Sequence, residues 1–123
     1  MGVILYRVQS ALDGRGPWRP GFSGSWVDDS RTLADYQRLV PWTEQFGRGI
    51  LRKQKQGEAA GCACTSLEQL KLWFTAKEYS TLLKFGYHAV RFDDGRILAR
   101  SATQCVFARP APLVLNVVPF ALY

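Results

Sequence analysis

The sequence is poor in the residues that catalysis and metal binding draw on most. It holds one histidine, one methionine and three cysteines in 123 residues, and no aspartate or glutamate follows Asp94. Paired-carboxylate chemistry is therefore poorly supported in the C-terminal half, where Asp93 and Asp94 stand before Gly95 and turn formation already accounts for them. His88, the single candidate histidine base, has no serine or cysteine in a recognisable nucleophile motif to serve. No window approaches the roughly 18 consecutive apolar residues of a membrane-spanning helix, and no basic run precedes Val3 to Tyr6. Neither membrane insertion nor export is expected. The glycine-rich stretch from Gly14 to Gly24 lacks both the third glycine of a dinucleotide fingerprint and the Gly-Lys-Ser/Thr of a P-loop.

Cys62, Cys64, His88 and Cys105 are the only soft metal ligands. Cys-x-Cys is closer than the usual gap in a zinc finger and too short for an unstrained bridge, and His88 and Cys105 are isolated. The expectation is three reduced thiols, no metal and a cytoplasmic protein.

What is present is an ordinary globular composition, 47% hydrophobic and 21% charged, enough for one core spanning residues 1–123. Sixteen Lys plus Arg against ten Asp plus Glu give a net charge of +6, which favours acidic or polyanionic partners. Val3 to Val8 reads as a strand. Trp18, Phe22 and Trp26 are more aromatic surface than a flexible linker carries, so the glycine- and proline-rich loop that begins at Gly14 is expected to be ordered. Asp29 or Ser30 can cap a short helix presenting Leu33, Tyr36, Leu39 and Val40, which Pro41 ends; a short turn around Trp42 to Phe46 follows.

The clearest local signal lies between Thr65 and Gly86. Ser66 with Gln69 and Thr75 with Glu78 read as capping boxes, and Gly86 stands where a helix C-terminal glycine belongs. The periodicity predicts two short helices, with Leu67, Leu70, Trp73, Leu82 and Leu83 in the core together with Val106. From Tyr87 the period changes. Tyr87 to Phe92, Asp93-Asp94-Gly95 and Arg96 to Ala99 read as a hairpin, followed by strands at Gln104 to Ala108 and Leu113 to Val118. The fold class is α+β: an N-terminal strand, central short helices and an antiparallel C-terminal sheet.

Candidate contact residues follow from charge. Residues 47–60 carry Arg48, Arg52, Lys53 and Lys55 with only Ile50 and Leu51 as large apolar groups, and are expected to form a mobile or partner-ordered basic connection. Arg15 and Arg19 flank Trp18, an arrangement that either stacks a nucleic-acid base or pins an irregular loop. Arg7 projects from the first strand toward a cleft, where it would suit a phosphate, or toward solvent. Arg96, Arg100 and Arg109 make one face of the C-terminal sheet positive.

The blocks from Tyr6-Arg7-Val8-Gln9 through Gly14 to Ser23, and from Gly61-Cys62-Ala63-Cys64 through Gly86-Tyr87-His88-Ala89-Val90, resemble small proteins carried by bacteriophages and prophages. The order of Tyr6-Arg7 on the first strand, central helices, Gly86-Tyr87 entering a strand and Gln104 on a late strand also resembles, more remotely, the ADP-ribosyltransferase-like fold. That second resemblance implies an enzyme using NAD, with Arg7 on its phosphates and Ser23 or Ser25 on the nicotinamide side; the late glutamate of that fold has no counterpart here. The leading expectation is a non-enzymatic phage accessory protein without a cofactor, which binds and inhibits a host defence protein or nucleoprotein complex in the manner of an anti-CRISPR. The alternatives are the NAD-using enzyme and a nucleic-acid-binding module.

Overall fold

The computed structural model describes residues 3–18, 21–28 and 39–123. Strand β1 is Leu5–Ser10; helix α1 is Trp42–Phe46, followed by a 3-10 helix at Arg48–Lys53 and strand β2 at Glu58–Ala63. Helices α2 (Leu67–Trp73) and α3 (Ala76–Lys84) lead into β3 (Tyr87–Phe92), β4 (Arg96–Arg100), β5 (Cys105–Pro110) and β6 (Val118–Phe120). The expected helix from Asp29 onward lies largely outside the described residues; of its apolar set, Leu39 is buried.

Among the described residues all pairing is antiparallel, in two three-stranded sheets ordered β1-β3-β6 and β2-β5-β4. The sheets meet where Tyr6 and Cys64 exchange two backbone hydrogen bonds of 2.9 and 2.8 Å. The expected hairpin is absent: β3 is central, with β1 on one edge and β6 on the other, so β4 is carried away to pair with β5. The connection is fixed by contacts a free turn would lack. The Asp94 carboxylate holds Arg109 of β5, and Gly95 lies so close to Leu5 and Phe92 that a Cβ would stand 3.1 Å from each.

The expected strand from Leu113 to Val118 also differs. Residues 113–116 form turns, Asn116 adopts a left-handed φ of 60°, and the carbonyls of Leu113, Leu115 and Asn116 accept from the Arg109 guanidinium, with Gln9 Nε2 also donating to Leu113 O, instead of from strand backbone. Only Val118–Phe120 joins the ladder. Residues 47–60, expected to be a connection, contain the 3-10 helix and the first three residues of β2.

The helical layer follows the capping signals. Thr75 Oγ1 accepts from Glu78 N while the Glu78 carboxylate accepts from Thr75 N, a complete capping box. Ser66 caps α2, but the Gln69 side chain bonds Thr65 N and Ala102 O instead of closing its box. Leu70, Trp73, Phe74, Tyr79 and Leu82 pack with Val8, Tyr87 and Ala89 of the first sheet. Leu67 and Leu83, expected in the core, are 41% and 43% exposed. Consecutive helical residues point about 100° apart, so with Leu82 fully buried its neighbour Leu83 must leave the core face, and Leu67 stands on the outer first turn of α2.

The loop after β1 is held by its aromatics. Trp18 meets Trp26 edge-on at 4.6 Å between centroids, Trp26 Nε1 donates to Pro17 O, and Phe22 stacks on Tyr87 at 5.3 Å.

Candidate functional site

The basic face is built on the 3-10 helix Arg48–Lys53 and the edge strand β4. Ile50 packs with Trp42 and Phe46 against Leu98, Val106 and Ala108, which seats the helix on the second sheet. Lys53 Nζ donates to Leu98 O, and Arg96 Nη2 returns a bond of 3.0 Å to Lys53 O. Arg96 also holds Glu58 at 2.6 Å, and Glu58 accepts from Lys55 N, so one carboxylate fixes both the strand and the turn that carries Lys55. The hydrogen bond from Arg96, with a second from the Lys55 backbone, holds the Glu58 carboxyl below its ordinary value of 4.5.

Arg48, Arg52, Lys53 and Lys55 are all exposed, and among the described residues none of them shares an ion pair with a carboxylate. Arg100 of β4 is exposed as well. The broad positive sheet face expected from Arg96, Arg100 and Arg109 does not form. Arg96 is paired with Glu58, and Arg109 is 1% exposed with its guanidinium on Asp94. Cationic character is concentrated instead on the 3-10 helix and its flank. The role of Glu58 and Arg96 in holding that helix was missed in the sequence; Glu58, the lone acid among the basic residues of 47–60, was the available signal.

The other candidates do different work. Arg7 is 5% exposed: Nη1 donates to Cys62 O, Nη2 to Gly14 O, and its Cζ lies 5.3 Å from the Phe107 ring centroid. Burial lowers its pKa from the ordinary arginine value, and among the described residues no carboxylate accompanies it. A phosphate would have to displace two carbonyls to reach it. Trp18 turns inward to Trp26, Trp73 and Phe74, so its ring serves the core. Arg15 is exposed beside Asp13 at 3.7 Å, and Arg19 lies outside the described residues.

The soft ligands are distributed over different elements. His88 is on β3 of the first sheet, Cys62 and Cys105 are in the second, and Cys64 sits at the junction; all three cysteines are free. Burial pushes the Cys105 thiol up to about 11 and Cys64 higher still; Cys62 is also raised by burial, with the positive charge of Arg7 opposing. Such thiols are neutral at ordinary pH and poor nucleophiles. Among the described residues no group of three or more His, Cys, Asp or Glu is placed to hold a metal ion, and no helix is long and apolar enough to cross a membrane.

A small α+β scaffold with an exposed cationic helix is the class of protein these features define. The chain belongs to the Bacteriophage T4 Y00F protein family, whose model matches residues 1–120. No curated protein and no solved structure matches it. The resemblance to phage proteins thus has a family behind it, whereas the ADP-ribosyltransferase-like resemblance found no match.

Proposed function

We propose that this phage-family protein is an accessory factor that acts by contact, binding and inhibiting a host defence protein or nucleoprotein complex in the host cytosol, with an anti-CRISPR-like action as its most specific form. The observation that carries the reading is the set Arg48, Arg52 and Lys55: exposed and free of carboxylate partners among the described residues, the arginines presented by a 3-10 helix seated on the sheet and Lys55 by the turn that follows it. Lys53 adds its charge at the same place while its ammonium bonds Leu98 O. Charges held on a packed framework attract an acidic partner at long range and lose little side-chain entropy in the encounter compared with charges on a free strand.

The test replaces Arg48, Arg52, Lys53 and Lys55 with glutamine. The parent is used to capture a partner from host lysate, and association with that purified partner is then measured for parent and variant across a salt series. The expected result is slower association of the variant and a flatter salt dependence, with melting temperatures close together because exposed charges contribute little to folding. Equal association rates would remove the proposal. Equal affinity of the parent for the purified partner and for bare duplex or single-stranded DNA, with the steep salt slope of phosphate contacts, would transfer the face to nucleic acid.

A further inference from the structure

A second surface lies on different elements. An open groove of about 460 Å³ runs between α3 and the segment that includes β6, lined by Ser80, Leu83, His88, Pro119, Phe120 and Tyr123 among others. Its volume falls within the roughly 300–1,000 Å³ of sites that enclose small ligands or anchoring side chains. The walls are mainly apolar, and Leu83 and Tyr123 leave 43% and 53% of their surface exposed there. Two polar groups open into it unengaged: neither the Ser80 hydroxyl nor a ring nitrogen of His88 holds a hydrogen bond among the described residues.

The rim is cationic. On α3, Lys77 and Lys84 stand three residues before and four residues after Ser80, so both border the face that lines the groove. From α2, Lys71 Nζ lies 5.1 Å from the ring centroid of Tyr123. On α3 the nearest acid does not offset the lysines, since Glu78 is fully buried with its carboxylate accepting from the backbone of Thr75 and Asp28. On α2 the exposed Glu68 stands three residues before Lys71 but forms no ion pair with it among the described residues. Asp28 meets Lys77 at 3.7 Å, leaving Lys71 and Lys84 without a carboxylate partner among the described residues.

We propose that this groove docks a short acidic segment of a partner protein, with one large apolar side chain seated against Leu83 and Phe120 and flanking carboxylates on Lys71 and Lys84. The apolar wall supplies the desolvated anchor that concentrates binding energy, the lysines select the sign of the flanks, and Ser80 and His88 can hydrogen-bond the backbone of the segment. The proposal does not depend on the basic 3-10 helix, which shares no residue with the groove.

The probe is a fluorescent heptapeptide of aspartates and glutamates with one central phenylalanine, titrated with the full chain and followed by anisotropy. Saturable binding is expected, weakened about tenfold by alanine in place of the phenylalanine and about tenfold by Lys71→Gln with Lys84→Gln. Leu83→Glu, at an exposed position, should abolish it; Ser80→Phe, which fills the groove from another exposed position, is the second variant should the first not fold. The glutamine variant at Arg48, Arg52, Lys53 and Lys55 should bind the peptide as the parent does, which separates failure here from failure of the basic face. No saturable binding, equal binding of the alanine peptide, indifference to the groove variants, or loss in the basic-helix variant would each overturn the proposal.

Discussion

Arg7 and Arg109 are both buried guanidiniums beside aromatic rings, and their surroundings are opposite. Arg109 has a bidentate carboxylate in Asp94, three carbonyls of the 113–116 loop and the Phe92 ring at 4.8 Å. Arg7 has two carbonyls and the Phe107 ring, no carboxylate among the described residues, and a buried Nε without a hydrogen-bond partner. The positive charge of Arg109 adds to the burial that lowers the pKa of Arg7. Arg109 organises a loop that has too little regular structure to hold itself; Arg7 braces a junction that the strands already form. A buried charge of the same chemical type can thus be a strong fastening in one place and a much weaker one in another.

The largest effect should come from Arg109→Met. Removing one partner of a buried pair costs about 3–5 kcal/mol when the other charge is stranded. Asp94 is 33% exposed and can be rehydrated, which places the expected loss at the lower end, about 3 kcal/mol, in urea denaturation. The released loop should also gain amide exchange at Val114 to Val117. A loss below about 1 kcal/mol would mean that Arg109 is no more of a fastening than Arg7.

Arg7→Met should cost less, about 1–2 kcal/mol, because two carbonyls lose a donor while an unpaired desolvated cation is removed. Gly61 sharpens the comparison: a Cβ there would collide with Nη1 of Arg7. Gly61→Ala should therefore destabilise the parent strongly and the Arg7→Met chain much less, with a coupling of about 1–3 kcal/mol in the double-mutant cycle. Additive losses would show that Gly61 is needed for its backbone alone.

The same contrast explains what was legible in the sequence. Local signals carried the helical layer: the Thr75 and Glu78 box, the Ser66 cap, Gly86 with its φ of 81°, and Leu70, Trp73 and Leu82 at core spacing all depend on neighbours within a turn. The strand pairing depended on distant partners. Asp93-Asp94-Gly95 has hairpin composition, yet Asp94 answers Arg109 fifteen residues later, and that pair diverts both the turn and the expected strand at Leu113. β2 was hidden because Ala59, Ala60 and Gly61 have little strand propensity; they are in a strand because β5 supplies the ladder. Of the candidate site, the cationic residues were legible as charges. Which of them remained unpaired was not, since Arg96 and Arg109 find their acids across the fold.

The Glu58–Arg96 pair completes the comparison at the surface, where a guanidinium meets its carboxylate at 2.6 Å with Arg96 still 40% exposed. Water competes for both partners, so Glu58→Gln should change stability at neutral pH far less than Arg109→Met. Its signature is in the acid range. Glu58 has a folded pKa below its ordinary 4.5, so its stabilising contribution is present above that value and disappears as pH falls through the folded pKa. The parent should therefore lose melting temperature more steeply than Glu58→Gln below about pH 4.5, the two curves converging once the carboxyl is protonated. Because Glu58 also accepts from Lys55 N, the variant should loosen the turn before β2 and speed amide exchange there. Parallel acid limbs for the two chains would mean that Arg96 holds Lys53 and β4 without help from the carboxylate, and that the basic helix rests on Ile50, the Leu98 carbonyl and Arg96.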